Sequence, residues 1–268
     1  MVVEYLLAQQ VLFYWINMSG EHTAKTEMLR AISWAETGGN DPLRGLGTFQ
    51  RRFDSLPDRG RAFSLQDQIL RCIDEGTVGG VHLAGSGLFY RDKIGSDFRG
   101  RVHGVYSHEG CGAAKLFAQT HGIQVENTDG VGDQEAKEIA GILQVPYLGR
   151  IPAEGMMRPR EIHVARAVYY VGSREFDPAA INLPPGFVIN REMISDASYA
   201  LAEVELATQI AQGEHGFGDS FTGETPLFIV AVSDRKTHSV PLERLAEELT
   251  DLSKRLRAVE LDTIQFSA

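Results

Sequence analysis

Gln68-Ile69-Leu70-Arg71-Cys72-Ile73 is predicted to be a short buried strand, and the polar residue Asp74 follows it directly. A second strand is predicted at Val81-His82-Leu83-Ala84, which runs into the glycine turn Gly85-Ser86-Gly87. Short apolar runs bounded by polar or glycine residues are typical of strands covered on both faces. This part of the chain therefore predicts a sheet whose strands end in polar or glycine-rich loops.

Strands and helices alternate outward from this stretch. Further strands are predicted at 102–106, 164–171 and 227–232, and helices at 112–120, 133–143, 198–212 and 242–256. Alternation of this kind predicts an α/β fold with a mainly parallel central sheet flanked by helices. Residues 183–186, Leu-Pro-Pro-Gly, indicate a rigid loop, and the sequence shows no internal repeat.

The chain is long enough for a single α/β domain with appendages. We expect an N-terminal helical arm and loop at 1–61, a core at 62–150, and a C-terminal β-α-β-α extension at 151–268. This extension either continues the sheet or packs against it. The apolar segment 5–16 is interrupted by Gln9 and Gln10, too short and too polar to span a bilayer, and predicts a helix packed on the domain or on a partner.

Composition excludes several classes of partner. The net charge of −10 disfavours nucleic acids and anionic membranes, which are bound mostly through lysine and arginine. The chain has two cysteines and no secretion signal, which favours a reducing cytoplasm and argues against a disulfide. Small molecules that are neutral or cationic remain as expected ligands.

Both cysteines stand in patterns that supply metal ligands. One is Cys72-Ile73-Asp74 and the other is His108-Glu109-Gly110-Cys111. Thiolate and imidazole ligands suit a soft or borderline cation such as zinc. Both patterns fall at predicted carboxyl ends of strands, where α/β proteins collect functional groups, and Cys111 is expected near a helix N-terminus that favours its thiolate. The plainer alternative is a core thiol and a loop imidazole, with Asp74 capping a turn.

Three stretches, taken in order, resemble the metal site of the β-class carbonic anhydrases and their cadmium-tolerant diatom relatives. They are Cys72-Ile73-Asp74, the turn Leu83-Ala84-Gly85-Ser86-Gly87, and Ser107-His108-Glu109-Gly110-Cys111-Gly112-Ala113-Ala114. The resemblance covers about residues 66 to 122. It implies zinc bound by Cys72, His108 and Cys111, with Asp74 as the acid/base group or as an occluding fourth ligand. Gly85, Ser86 and Gly87 are expected to line a narrow pocket beside the metal.

The chain departs from the family pattern after Asp74. Gly76 stands where the family usually carries an arginine that keeps the aspartate ionised and off the metal. Arg91 or Arg71 is a candidate substitute. The interval between Cys72 and His108 is also shorter than is usual in the family.

The resemblance implies a zinc-dependent lyase that hydrates carbon dioxide to bicarbonate, and a homodimer or higher homo-oligomer. Three alternatives stay open. One is a non-catalytic zinc-binding or ligand-sensing protein on the same scaffold, and another is a zinc hydrolase of carbonyl sulfide or carbon disulfide. The third is a nucleotide-binding protein that cradles a phosphate at Gly85–Gly87.

Overall fold

A computed structural model describes residues 68–74, 80–155, 165, 167–178, 183, 186–212, 221, 226–235, 240–256 and 259–266. The predicted N-terminal arm at 1–61 lies outside these residues, as does the position of Gly76. Among the helices of the described ranges, none is both long and apolar enough to cross a bilayer.

The first half of the described chain forms a four-stranded parallel sheet. Its strands are β1 (Ile69–Cys72), β2 (Val81–Leu83), β3 (Gly104–His108) and β4 (Tyr147–Ile151), in the order β2-β1-β3-β4. Helix α1 (Arg91–Phe98) connects β2 to β3, and helices α2 (Gly112–Thr120) and α3 (Asp129–Leu143) lie between β3 and β4. Short 3-10 turns at Ala84–Ser86 and Leu88–Tyr90 lead from β2 into α1.

The second half forms another four-stranded parallel sheet. Its strands are β5 (Ala167–Val171), β6 (Gly186–Asn190), β7 (Leu227–Asp234) and β8 (Val259–Phe266), in the order β6-β5-β7-β8. Helix α4 (Ala197–Gln212) connects β6 to β7, and helix α5 (Leu242–Ser253) connects β7 to β8. The strand order is therefore the same in both halves, a structural repeat that the sequence does not reveal.

The two halves share one hydrophobic core. Side chains alternate along β7, so that Ile229 and Ala231 face a cluster that also contains Leu70 and Val105 of the first sheet. Val230 and Val232 face the opposite side, where they pack with Phe176 and Phe266 in a second cluster. Strands β2 and β6 are also in contact. Burial on both faces is what a parallel sheet requires, and here it joins the halves into one packed unit.

The fold prediction is confirmed, since parallel strands are flanked by helices. The predicted strands at 68–73, 81–84, 164–171 and 227–232 contain β1, β2, β5 and most of β7, and the predicted helix at 112–120 coincides with α2. Several boundaries are wrong: β3 lies two residues later than predicted, α3 begins at Asp129 rather than after Asp133, and α5 ends at Ser253 rather than at residue 256. The predicted loop at 183–186 ends at Gly186, the first residue of β6. In the described residues of the second half, β6 and β8 are therefore added to the predicted β-α-β-α, and the order becomes β-β-α-β-α-β.

Candidate metal centre

Two adjacent strands bring the predicted ligands to one edge of the first sheet. Cys72 is the last residue of β1 and His108 is the last residue of β3, and these strands pair in parallel. Cys111 follows as the N-cap of α2. Strand β1 lies between β2 on one side and β3 on the other, so the strand order reverses at β1. Such a topological switch point leaves a crevice at the carboxyl ends of the strands.

Cys72, His108 and Cys111 form a buried cluster whose ligand atoms all lie within 4.8 Å of one another. The two sulfur atoms are 3.8 Å apart, and the three side chains are at most 4% exposed. Two thiolates bound at ~2.3 Å to one tetrahedral ion are separated by roughly 3.8 Å, whereas a disulfide requires ~2.05 Å. The spacing therefore fits two ligands of a shared ion. It does not fit a covalent bond.

The ring of His108 is oriented for ligation. Its Nδ1 donates a hydrogen bond to the carbonyl of Glu109 at 3.0 Å, which assigns the proton of the neutral ring to Nδ1. Nε2 is buried and has no hydrogen-bond partner among the described residues. A buried nitrogen lone pair without a donor is unfavourable unless a ligand satisfies it, so this atom also fits a metal ligand.

Protonation of the cluster is coupled. Hydrogen bonding to Cys72 lowers the pKa of the Cys111 thiol, and the amides of Ala114 and Ala113 at the start of α2 act in the same direction against burial. The hydrogen bond to Cys111, together with burial, raises the pKa of Cys72. Cys111 is therefore the more readily ionised thiol, as its predicted place at a helix N-terminus implies.

The turn between His108 and Cys111 is held by groups from other elements. Gly110 adopts a φ of 69° and donates its amide to Asp129 Oδ1 at 2.8 Å. The amide of Glu109 donates to the carbonyl of Ile151 at the end of β4, and its carboxylate accepts from the Ala153 amide at 3.0 Å. These bonds fix the distance between the imidazole and the second thiol.

Asp74 lies beside the cluster. It is half-buried two residues after β1. Burial acts to lower the pKa of His108, but the negative charges of Cys72 and, to a smaller extent, Asp74 leave it raised to about 9. The charge of Asp74 also opposes the lowering of the Cys111 pKa without reversing it. Arg91, one candidate for the missing arginine partner, pairs with Glu135 and Glu138 on α3. Arg71, the other candidate, places its guanidinium over the ring of Tyr106.

The glycine turn touches the cluster through its backbone. Gly85 donates its amide to Cys72 Sγ at 3.3 Å, and Gly85, Ser86 and Gly87 have φ values of 55°, 60° and 96°. All three are buried. A Cβ on Gly85 would lie 3.2 Å from Leu88 and 3.3 Å from Ala113, so this turn is tightly packed where it meets the cluster.

The corresponding crevice of the second sheet is filled. Val171 and Asp234 end β5 and β7, where Cys72 and His108 end β1 and β3. Val240 packs over Gly172 and donates its amide to the Gly172 carbonyl, while Ser233 donates to the Val240 carbonyl. Within the described ranges, the first sheet carries the one cluster of three residues that could hold a metal.

Two residues of this region were missed by sequence reasoning. Asp129 holds the His108–Cys111 turn, and Glu203 on α4 accepts a 2.7 Å hydrogen bond from the Ala84 amide. Asp129 carried no signal beyond its place before a helix. Glu203 did, because Ala200, Val204 and Ala207 around it form the buried stripe of α4, and a charge in such a stripe is unusual.

Comparison of the chain with protein-family models, curated proteins and solved structures finds no match. The geometry described here therefore carries the functional argument.

Proposed function

We propose that this protein is a zinc-dependent lyase that hydrates carbon dioxide to bicarbonate, similar to the β-class carbonic anhydrases. The observation that supports it most is the buried cluster of Cys72, His108 and Cys111 with its sulfur atoms 3.8 Å apart. Two sulfurs and one nitrogen form a ligand set that leaves one position of a tetrahedral ion for water or for Asp74. When bound, zinc acts as a Lewis acid that lowers the pKa of water to about 7 and supplies a nucleophile at neutral pH.

The chain's own residues have three tasks in this proposal. Cys72, Cys111 and His108 Nε2 hold the ion, and the bond from Nδ1 to the Glu109 carbonyl keeps the imidazole aimed at it. Burial of the ligands keeps bulk water away from the sulfurs. Asp74 accepts the proton that hydration of carbon dioxide releases and, being half-buried, passes it to solvent.

The surroundings that we propose follow from the same residues. Free thiol ligands require a reducing compartment, which supports a cytoplasmic location. We also propose a homodimer. The resemblance to the β-class enzymes implies one, and the apolar segment at 5–16 could pack against a second copy of the chain.

Metal analysis together with a stopped-flow assay of carbon dioxide hydration tests the proposal. We expect about one zinc per chain, lost together with hydration in Cys111→Ser, because this substitution removes one of the two thiolates that hold the ion. Asp74→Asn should keep the zinc and hydrate carbon dioxide roughly 100-fold to 10,000-fold more slowly. His121→Asn, at an exposed imidazole after α2, is the matched control and should change neither quantity.

Unchanged metal content in Cys111→Ser would refute the metal site. A wild-type protein that holds zinc and does not hydrate carbon dioxide would instead be the non-catalytic alternative that Gly76 suggests. Release of sulfide from carbonyl sulfide or carbon disulfide would identify a related hydrolase.

A further inference from the structure

Glu203 is a buried carboxylate for which the proposed chemistry has no use. It lies on α4 in the second half of the chain, is 3% exposed, and sits in the apolar stripe of that helix. Its hydrogen-bond partner among the described residues is the amide of Ala84, 119 positions away. Burial of a carboxylate with one neutral donor is unfavourable for folding, so stability alone does not explain its presence.

The amide that Glu203 holds begins the glycine turn. The next amide in the chain, that of Gly85, donates to Cys72 Sγ at 3.3 Å. The next side chain, that of Ser86, donates to the carbonyl of Tyr106 on β3 at 2.6 Å. Three consecutive residues are thus fixed by three different elements, namely α4, β1 and β3.

The turn needs such anchors because its backbone is strained. Ser86 is not glycine and has a φ of 60°, and left-handed backbone is unfavourable for residues with a Cβ. Successive amides in a left-handed turn converge on anions, and here they meet a carboxylate and a sulfur atom. Releasing the Ala84 amide therefore frees the Leu83–Ala84 peptide, and with it the orientation of the next peptide, whose Gly85 amide donates to Cys72.

We propose that Glu203 is a positioning residue for the metal centre. It fixes the Leu83–Ala84 peptide and thereby orients the next peptide, Ala84–Gly85, so that Gly85 donates to the Cys72 sulfur. A hydrogen bond to a thiolate stabilises its negative charge and sets its orientation toward a metal. The second half of the chain, which has no metal cluster in its described residues, thereby supports the ligand geometry of the first half. This inference rests on the metal site of the proposed function and does not require that the site be catalytic.

Titration of the metal-free full-length protein with Co²⁺, followed by the visible and near-ultraviolet thiolate bands, tests the proposal. Glu203→Gln keeps an acceptor for the Ala84 amide and should bind Co²⁺ with near wild-type affinity. Glu203→Met removes the acceptor at similar length, and Glu203→Asp keeps the charge but is too short to reach. We expect both to bind Co²⁺ about 10-fold to 100-fold more weakly, with altered thiolate bands, as is typical when support for a ligand is lost.

Thr208→Val is the matched control for a general loss of packing. Thr208 is buried on the same helix, and its hydroxyl donates to Val204 within α4 rather than to the turn. We expect Thr208→Val to leave Co²⁺ affinity and the thiolate bands unchanged. Wild-type Co²⁺ binding by Glu203→Met and Glu203→Asp would overturn the proposal. A loss of affinity equal to that in Thr208→Val would also overturn it. If Glu203→Met does not fold, Glu203→Asp decides the question.

Hydrogen exchange of the metal-free protein separates this inference from the proposed function. Glu203→Asp should increase exchange of the Ala84 and Gly85 amides, while Glu203→Gln should not. If the wild-type chain takes up no Co²⁺ or Zn²⁺ while the two variants show this exchange pattern, the metal site is refuted and Glu203 is retained as the anchor of the turn. Unchanged exchange at both amides would refute the role of Glu203.

Discussion

Glu248, which is half-buried, and Glu203, which is buried, differ in how their charge is compensated. Glu248 accepts hydrogen bonds from Arg191 at 2.9 Å and from the Tyr170 hydroxyl at 2.6 Å, so its charge is matched by a cation. Burial raises the pKa of Glu248, but these partners outweigh it and leave that pKa lowered. Among the described residues Glu203 has one backbone donor and no cationic partner, and burial raises its pKa to about 7. The side chain that anchors the glycine turn is therefore also the one whose charge is poorly compensated.

This difference predicts the pH dependence of folding. A carboxyl with a pKa of about 7 in the folded chain and 4.5 in the unfolded chain binds more protons when folded. Its contribution to stability is present below pH ~4.5 and is lost as the pH rises through ~7, by on the order of 3 kcal/mol. Urea unfolding at pH 5 and pH 8 should show a loss of stability that is larger in the wild type than in Glu203→Gln by about this amount. The same pH dependence in both proteins would contradict the assignment.

In the glycine turn before α1, both the backbone conformation and the packing around Gly85 restrict which side chain can stand at that position. Gly85 has a φ of 55° and close neighbours on two sides, whereas Gly100 has a φ of 74° and open space around it. The two glycines share a left-handed conformation and differ in crowding. They therefore separate the effect of backbone strain from that of packing.

Gly85→Ala should destabilise the fold more than Gly100→Ala. A Cβ in left-handed backbone costs roughly 1–2 kcal/mol at either position, and crowding against Leu88 and Ala113 adds about 1–3 kcal/mol at Gly85. Chemical denaturation measures both values, and Co²⁺ titration should show weaker binding for Gly85→Ala alone. Equal destabilisation by the two substitutions would mean that the turn can adjust without strain.

Elements that carry their own apolar pattern could be predicted from the sequence, and elements rich in polar residues could not. Helix α2 and strand β7 could be predicted because most of their side chains are small or apolar. Strand β8, Val-Glu-Leu-Asp-Thr-Ile-Gln-Phe, lies at a sheet edge with half-buried polar residues, and it is a strand because it pairs with β7. Helix α1 was missed because Ile94 and Phe98 are its apolar residues in a charged segment.

The candidate site shows the same division. Cys72, His108 and Cys111 could be predicted as one site for two reasons. Thiols and imidazoles are recognisable as metal ligands from the residue type alone, and all three residues lie at or near the predicted ends of strands. Asp129 and Glu203 could not be placed, because their roles depend on which backbone amide the fold brings to them. The local sequence pattern cannot indicate a contact such as that between Glu203 and Ala84, which are 119 positions apart.

The two sheets have the same strand order and share one hydrophobic core. Leu70 of β1 and Ile229 of β7 belong to the same fully buried cluster. Asp97 on α1 accepts hydrogen bonds from the amide and the hydroxyl of Ser195, which lies just before α4. Polar and apolar contacts thus both cross between the halves.

Ile229→Ala should destabilise both halves equally. Removing three carbon atoms from a fully buried isoleucine costs about 2–5 kcal/mol, and a shared core transmits that loss to both sheets. Native-state hydrogen exchange should show the same decrease in opening free energy for the amides of β3 and of β7. Faster exchange in β7 with no change in β3 would show that the halves unfold independently.

The bond between Glu203 and Ala84 changes how natural variants of this polypeptide ought to be judged. Judged only by distance along the sequence from the metal ligands, a substitution in α4 would be expected to have no effect on the site. Two hydrogen bonds nevertheless connect its carboxylate to a ligand sulfur: one from the Ala84 amide to Glu203, and one from the neighbouring Gly85 amide to Cys72. An allele altered there deserves the same scrutiny as one altered beside the thiols themselves.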